Sequence, residues 1–181
     1  MPNLFRHLII PRTYETLKQV QGDKLVITTQ SRGEREDDEE HRMKFVSDGG
    51  CFVCGEKNPH GLKIKFQVDR QKQTIHTTFT VEPIYQGWDG VVHGGIVCTL
   101  LDEAMANLVY ELGLNAIAAS LEVRFKKPAP TLQPLRIDGE ITEVHKKLVK
   151  AKASVAREDG AVLATATASF VRQGLEGTYS D

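Results

Sequence analysis

The sequence has few of the features that mark secreted, membrane-bound or nucleic-acid-binding proteins. Its 181 residues include only three cysteines, an odd and small number that argues against a disulfide framework. No stretch approaches the roughly 20 consecutive apolar residues that a transmembrane helix needs, and the first residues lack the apolar core of a secretory signal. The formal net charge of −1 provides no general attraction to nucleic acid or anionic membranes. We therefore expect a cytoplasmic protein with neither a nucleic-acid nor a membrane partner.

Residues 1–46 differ in composition from the rest of the chain and are interpreted as an N-terminal extension. In Arg32–Glu40, all residues but one are charged and none is apolar. Such a run cannot bury apolar surface, so it predicts a solvated, charged linker. Within the same extension, Pro11–Val20 is interpreted as a short helix and Lys24–Thr29 as a short strand.

Residues 47–174 are assigned to one main domain and residues 175–181 to a C-terminal tail. Gly95 to about Leu112 carries apolar residues over a very broad helical arc, which predicts one long helix enclosed by a large neighbour. Gly113 follows this segment as a C-cap. Strands are predicted from β-branched runs and apolar–polar alternation at Leu62–Val68, Thr74–Val81, Ala118–Lys126, Leu135–Val144, Leu148–Ala156 and Val162–Val171.

The order of these elements indicates the fold class. The first two strands are separated by a polar turn and form a hairpin, and the strands after the helix form an antiparallel meander. One long helix with about six strands favours an α+β fold in which a curved antiparallel sheet wraps a central helix. This arrangement is the hotdog fold.

Two acidic residues follow one another on the predicted helix. Asp102 lies at the border of the apolar arc, where burial of an unpaired carboxylate is costly. Two interpretations stay open: Asp102 reaches solvent or a neighbouring loop, or it acts as a general base or nucleophile in an apolar cleft. Glu103 points into the middle of the polar arc, and we expect it to be solvated.

The residues His93, Gly94 and Gly95 stand at the expected start of the helix. Glycines allow a substrate to approach the backbone closely, and the free N–H groups of a first helical turn carry partial positive charge. This combination suits the oxyanion that forms when a thioester carbonyl is attacked. A glycine-rich turn with a hydrogen-bonded histidine is the alternative.

Cys51 and Cys54 form an isolated Cys-x-x-Cys motif. A structural zinc site needs two more ligands, and His41 and His60 fit no standard spacing for this role. We interpret the two cysteines as small buried side chains in a tight turn, and Cys98 as a packed residue of the helix. No metal site is expected.

Three cationic side chains, Arg124, Lys126 and Lys127, lie on the polar side or at the end of a predicted strand. Two interpretations stay open for them, contact with a phosphorylated ligand and an ordinary solvated strand face.

Three motifs resemble those of hotdog-fold acyl-CoA thioesterases of the PaaI and THEM type, within the 4-hydroxybenzoyl-CoA thioesterase-like superfamily. The resemblance spans about residues 50–172 and excludes the first 45 residues. The acid lies nine residues after the histidine, as in that family. The motifs are Gly90-x-x-His93-Gly94-Gly95-Ile96 followed by Leu101-Asp102-Glu103-Ala104, Cys54-Gly55-x-x-Asn58-Pro59-x-Gly61-Leu62, and Phe125-Lys126-Lys127-Pro128-Ala129-Pro130.

The resemblance implies a role for each matching residue. Asp102 corresponds to the catalytic carboxylate, and Gly94 to the residue whose backbone N–H binds the thioester oxygen. His93 helps to order the site beside Gly95, and Ser120 falls where related enzymes place a small hydroxyl residue that assists with water.

One position departs from the family pattern. Several relatives have a side-chain amide about six residues before the histidine, where this chain has Gly87 with Gln86 beside it.

The implied reaction is hydrolysis of an acyl-CoA to the free acid and CoA, without a metal or redox cofactor. The phosphates of CoA are then the groups that Arg124, Lys126 and Lys127 contact. Two alternatives stay open, a non-catalytic CoA-thioester-binding module and a hotdog-fold enoyl-thioester hydratase or dehydratase.

The spacing of the two central residues has a consequence for assembly. Eight residues separate Gly94 from Asp102, which is about 12 Å along a helix. An oxyanion donor and an attacking carboxylate must each come within about 3 Å of one reaction centre. If they have these roles, Gly94 of one protomer must work with Asp102 of another. We therefore expect a homodimer or a homotetramer.

Overall fold

The structure, a computed structural model, describes residues 16–21, 24–29 and 47–172. In the first two segments, Thr16–Gln21 (β1) and Lys24–Thr29 (β2) pair as an antiparallel hairpin. The strand predicted at Lys24–Thr29 is confirmed. The helix predicted over Pro11–Val20 is wrong from Thr16 onward, because pairing with β2 overrides the local helical preference. Residues 11–15 lie outside the described residues.

The chain separates into two compact units, Met1–His41 and Arg42–Asp181. The charged run Arg32–Glu40 and the predicted tail, residues 175–181, lie outside the described residues, so the domain boundaries stay predictions. In the described part of the chain, no helix has the length and apolar character that a membrane span requires.

The second unit contains one long helix and a six-stranded antiparallel sheet. A short 3-10 helix, Pro83–Tyr85, precedes the small strands that lead to the long helix. The elements are β3 (Gln67–Asp69), β4 (Thr74–Thr80), β5 (Gln86–Trp88), β6 (Val91–Val92), α1 (Gly94–Glu111), β7 (Ala116–Phe125), β8 (Pro134–Val144), β9 (Leu148–Arg157) and β10 (Val162–Arg172).

The spatial order of the strands is β3-β4-β8-β9-β10-β7, and the two-stranded pair β5–β6 stands apart from this sheet. The predicted hotdog architecture of one helix against six antiparallel strands is confirmed, as is the hairpin of β3 and β4. The predicted meander holds only for β8, β9 and β10. Strand β7 does not pair with β8. The chain passes along α1 to the far edge, where β7 pairs with β10.

The first predicted strand of this unit is shorter than the alternation indicated. Of Leu62–Val68, only the last two residues pair with β4. The N–H groups of Leu62 and Ile64 instead donate to the carbonyls of Phe52 and Val53, each over 2.9 Å. The alternation still identifies the buried side correctly, since Leu62 and Ile64 belong to the core. The preceding loop has taken the hydrogen-bonding positions that a neighbouring strand would occupy.

The helix α1 packs across the concave face of the sheet, against β4, β7, β8, β9 and β10. A Cβ atom at Gly139 of β8 would lie 2.9 Å from Ile75 and 3.7 Å from Ala104 of the helix. Small residues therefore let the helix approach the sheet closely, although alanine is not a favoured strand residue. Other small residues buried in the sheet include Ala151 and Ala153 of β9 and Ala166 and Ala168 of β10.

The helix ends in a defined hydrogen-bonding motif. The Gly113 N–H donates to the Tyr110 carbonyl over 2.9 Å, and the Leu114 N–H donates to the Val109 carbonyl over 3.1 Å. Gly113 has a φ of +70°, a conformation that favours glycine. This pair of bonds is a Schellman motif, so the glycine predicted as the C-cap stands one residue beyond the cap residue Leu112.

Strand β7 has an open edge and exposed apolar residues. Among the described residues, β7 pairs only with β10, so the N–H and C=O groups along its other edge are available for a further strand. Ile117, Leu121 and Phe125 of β7 are all more than a third exposed. A ten-residue edge of this kind is typical of a surface that pairs with another chain.

The packing of α1 predicts a large loss of stability when the helix core is truncated. Leu101 is fully buried at 0% exposure. We expect Leu101→Ala to lower the free energy of unfolding by about 2–5 kcal/mol, measured by urea denaturation. Ile84→Ala is the control, because Ile84 is 79% exposed and should cost no more than about 0.5 kcal/mol. Equal losses for the two variants would contradict the packing described here.

Candidate active site

The start of α1 is held by a side-chain cap. His93 is the N-cap residue, and its Nδ1 atom accepts a hydrogen bond from the Gly95 N–H over 3.0 Å. The His93 N–H donates to the Tyr85 carbonyl over 2.9 Å, which ties the helix start to the short 3-10 helix. Since the Gly95 N–H is used by this cap, it is not free to bind a substrate oxygen.

The neighbouring Gly94 N–H is free to bind a substrate oxygen. No acceptor within residues 47–172 takes this N–H group, and Gly94 itself is exposed. The Phe125 ring at the end of β7 borders the same spot, since a Cβ atom at Gly94 would lie 3.6 Å from the ring. A free N–H at a helix N-terminus beside an apolar ring is suited to binding a developing negative charge.

The residues before the histidine pack closely against it. A Cβ atom at Gly87 would lie 3.2 Å from both Cα and Cδ2 of His93, so a larger residue there would press on the histidine. The Gln86 side-chain oxygen accepts a hydrogen bond from the Gly90 N–H over 3.3 Å. Gln86 thus supports the turn before α1.

Asp102 lies half-buried on α1, as its place at the border of the apolar arc predicts. In the described part of the chain, no hydrogen bond or ion pair holds its carboxylate. Burial, and next the negative charge of Glu103, raise the pKa of Asp102 above the usual value of an aspartic acid. Asp102 in turn contributes to a raised pKa of Cys98, one helical turn earlier. An unpaired carboxylate of this kind is available for chemistry.

Glu103 is not solvated as the sequence predicted. It is half-buried, and its two carboxylate oxygens lie 3.8 and 3.7 Å from Cys51 Sγ. Burial, followed by the hydrogen bond and charge of Glu103, raises the pKa of Cys54 to about 12. The prediction is wrong because the loop that carries both cysteines folds over the polar arc of the helix, which periodicity alone does not reveal.

The candidate catalytic residues Gly94, Asp102 and Ser120 lie at separate positions within one chain. Gly94 lies beside Phe125, whereas Asp102 is about 12 Å further along α1. Ser120 is five residues from Phe125 on β7, about 16 Å along the strand, and faces Ser169 of β10 in the strand register. One chain therefore does not bring Gly94 together with Asp102.

The three predicted CoA-binding cations have different surroundings. Arg124 donates from Nε and Nη2 to the Glu122 carboxylate over 3.1 and 3.0 Å. Both side chains line a cavity of about 560 Å³ on the sheet. Val123 lies between them in the sequence and packs on the core, so Glu122 and Arg124 lie on the opposite face of the strand. The exposed residues Lys126 and Lys127 follow the strand, and their backbone N–H groups both donate to the carbonyl of residue 163.

Comparison with known protein families agrees with this geometry. The sequence model described as the thioesterase superfamily matches residues 89–164, a range that includes α1 and most of the sheet. Residues 89–164 are therefore similar to the thioesterase superfamily.

The chain is also similar to curated proteins. It is similar to acyl-coenzyme A thioesterase THEM4 of Bos taurus, with 26% identity over 136 residues that cover 74% of this chain and 54% of the relative. The THEM4 of Rattus norvegicus is 27% identical over 88 residues, 48% of this chain and 38% of the relative. The chain thus spans about half of these relatives, or less.

Solved structures share the fold of the unit that contains α1 and the six-stranded sheet. A thioesterase superfamily protein of 24% identity covers 74% of this chain and 70% of its own, with a TM-score of 0.64. The E. coli PaaI protein is 20% identical over 61% of this chain and 84% of its own, with a TM-score of 0.57. A hypothetical thioesterase from Streptococcus pneumoniae TIGR4, with coenzyme A, is 21% identical over 64% and 88% of the two chains, with a TM-score of 0.56.

Two features of the site escaped sequence reasoning. The first is the contact of Glu103 with the cysteines, which joins residues about 50 positions apart. The presence of a second acid directly after Asp102 was the sequence signal that could have indicated this contact. The Phe125 ring over Gly94 had a weaker signal, an apolar residue directly before two lysines and a proline.

The cap at His93 yields a stability prediction for the unit that contains α1. We expect His93→Ala to lower the free energy of unfolding by about 1 kcal/mol, because the Gly95 N–H loses its side-chain acceptor. His93→Asn should restore most of this loss, since the asparagine oxygen is a favoured N-cap acceptor. Urea denaturation of the three proteins measures both changes. Equal stability of the Ala and Asn variants would show that the cap contributes nothing.

Proposed function

We propose that this chain is an acyl-CoA thioesterase that hydrolyses a CoA thioester to the free acid and CoA. The observation that carries the proposal is the pair of groups on α1, a free Gly94 N–H at its start and an unpaired, half-buried Asp102 carboxylate. The first suits an oxyanion and the second suits a base or nucleophile. The curated relatives named acyl-CoA thioesterases and the neighbour with coenzyme A support this substrate class.

The proposed reaction uses one water molecule. Asp102 either removes a proton from that water or attacks the thioester carbonyl itself, and in both cases negative charge develops on the carbonyl oxygen. The Gly94 N–H donates to that oxygen. When Asp102 acts as the base, the C–S bond of the water adduct breaks, the CoA thiolate takes the proton from Asp102, and the acyl group leaves as a carboxylate whose remaining proton goes to solvent. When Asp102 is the nucleophile, C–S cleavage leaves an anhydride between Asp102 and the acyl group, and the water then hydrolyses this anhydride to two carboxylates, with one proton passing to the CoA thiolate and one to solvent. Asp102 begins and ends the cycle ionised.

Other residues have supporting roles in the proposal. His93 orders the helix start through its bond to Gly95, and Ser120 assists in placing the water. Lys126 and Lys127 are exposed beside Phe125 and contact the phosphates of CoA. Arg124 joins them only if it gives up its ion pair with Glu122.

The proposed active site is formed between two protomers. In a two-fold dimer the same surface of each protomer meets its copy, and the open edge of β7 is the candidate surface. Two antiparallel copies of α1 place Gly94 of one level with Asp102 of the other when the two-fold axis passes near Cys98, midway between them. Each dimer then contains two equivalent sites.

Substitution of Asp102 tests the proposed chemistry. We expect Asp102→Asn to lower kcat for acyl-CoA hydrolysis about 10²- to 10⁴-fold, measured as thiol release from a panel of acyl-CoAs. Glu111→Gln is the matched control, an acid of the same helix that pairs with Arg70, and should keep nearly full activity.

The same assay separates the alternatives. Binding of acyl-CoA without CoA release by the wild type would overturn the hydrolase proposal in favour of a binding module. Hydration of an enoyl-CoA without CoA release would favour the hydratase.

Mixed dimers test the shared site directly. Gly94→Pro removes the N–H donor at a helix position where proline fits well, and we expect it to lower kcat about 10²- to 10³-fold. Gly94→Ala is the control, because it keeps the N–H and its Cβ makes ordinary contact with Phe125.

Mixing the two inactive variants, Gly94→Pro and Asp102→Asn, should restore activity. Each mixed dimer has one site with both residues intact and one site with neither. After exchange at equal concentrations, about a quarter of wild-type activity is expected from random pairing. Activity that stays at the level of the separate variants would show that both residues act within one protomer.

A further inference from the structure

Three side chains outside the proposed active site converge on one point. Cys51, Cys54 and Glu103 each offer a ligand atom, and these three atoms all lie within 4.8 Å of one another. All three residues are partly buried. The two cysteines come from the loop before β3 and the glutamate from the middle of α1, so the cluster connects two separate elements.

The spacing of these atoms suits a tetrahedral metal ion. Zinc binds thiolate sulfur at about 2.3 Å and carboxylate oxygen at about 2.0–2.2 Å, so two such ligands of one ion are about 3.5–3.7 Å apart. Cys51 Sγ lies 3.7 Å from the nearer Glu103 oxygen. Bringing the ligands onto one ion therefore requires only small side-chain movements.

The loop is built to hold the two sulfur atoms. The Val53 N–H donates to Cys51 Sγ over 3.3 Å, an outer interaction of the kind that orients a metal-bound thiolate. The Gly55 N–H donates to the Cys51 carbonyl over 3.0 Å. A Cβ atom at Gly55 would lie 2.5 Å from backbone atoms of Cys51 and Gly49, so only glycine permits this turn.

A path for an ion is also present. The three side chains line an open cavity of about 860 Å³ beside α1, together with Ile64, Phe66 and Tyr110 among others. A tetrahedral ion with three protein ligands takes a fourth ligand, and water in this cavity can supply it.

We propose that Cys51, Cys54 and Glu103 bind a zinc-type divalent cation that fastens the cysteine loop to α1. Two thiolates and a carboxylate favour zinc over the hard cations magnesium and calcium, which prefer oxygen ligands alone. Glu103 is the sequence neighbour of the proposed catalytic residue Asp102, but the other two ligands come from a separate loop. The site belongs to the domain whether or not the hydrolase proposal holds.

The first experiment measures metal binding by the full chain. The reduced protein, freed of metal with a chelator, is titrated with Zn²⁺ and separately with Co²⁺. We expect one equivalent of Zn²⁺ per chain, and with Co²⁺ the intense absorption of thiolate-to-cobalt charge transfer. Zn²⁺ should also protect Cys51 and Cys54 from alkylation, whereas alkylation of Cys98 should be the same with and without Zn²⁺, as peptide mass mapping would show.

Matched variants assign the ligands. Cys51→Ser and Cys54→Ser should abolish the cobalt–thiolate absorption or reduce it by half or more, and Glu103→Gln should weaken Zn²⁺ binding at least about tenfold. Cys98→Ser removes the remaining thiol and Glu111→Gln removes another helix acid, and both should bind Zn²⁺ like the wild type. Circular dichroism of each variant separates lost ligands from lost folding, and alkylation protection of the wild type needs no variant.

Other outcomes would overturn the proposal. One is alkylation of Cys51 and Cys54 at the same rate with and without Zn²⁺. That result would mean that the two thiols only form hydrogen bonds with Glu103. Another is a reduced chain that binds neither Zn²⁺ nor Co²⁺ in the titrations. Loss of metal in Cys98→Ser would also contradict the assignment. None of these measurements uses thioester turnover, so failure of this site and failure of the proposed hydrolysis are distinguishable.

Discussion

The fold depends on the close packing of one helix across the concave face of a curved sheet. Ala104 of α1 approaches Gly139 of β8 closely, and the alanines at the centre of β9 and β10 keep that space open. A larger side chain there would lift the helix from the sheet and leave voids along its length. Once this face is buried, every other position of α1 must face a loop, solvent or another chain.

The remaining faces of α1 therefore hold the groups of the two proposed sites. Its start presents the free Gly94 N–H, its border presents Asp102, and its outer face presents Glu103 to the cysteine loop. Because an α-helix rises about 1.5 Å per residue, Gly94 and Asp102 are about 12 Å apart along the helix axis. No rearrangement of side chains closes that distance within one chain, so a shared site between protomers follows from helix geometry if both residues act on one substrate.

Several features of the structure were accessible from the sequence because they depend on local patterns. The broad apolar arc predicted α1 within one residue at each end. The alternation of Leu62 and Ile64 identified the buried side of the segment before β3, but it did not reveal that the cysteine loop takes its hydrogen bonds. In the same way, the solvated position predicted for Glu103 was correct for the isolated helix and wrong for the folded chain, because a distant loop covers it.

By itself, the sequence determined the fold class, the helix, the positions of most strands and the residues that resemble a thioesterase site. These are set by periodicity, glycine placement and residue type, which act over a few neighbouring positions. Only the tertiary structure decided that β7 joins β10 at the sheet edge, that Phe125 covers Gly94, and that Cys51 and Cys54 meet Glu103. Each of these joins elements far apart in the chain, and the free energy of such contacts comes from packing that no local pattern records.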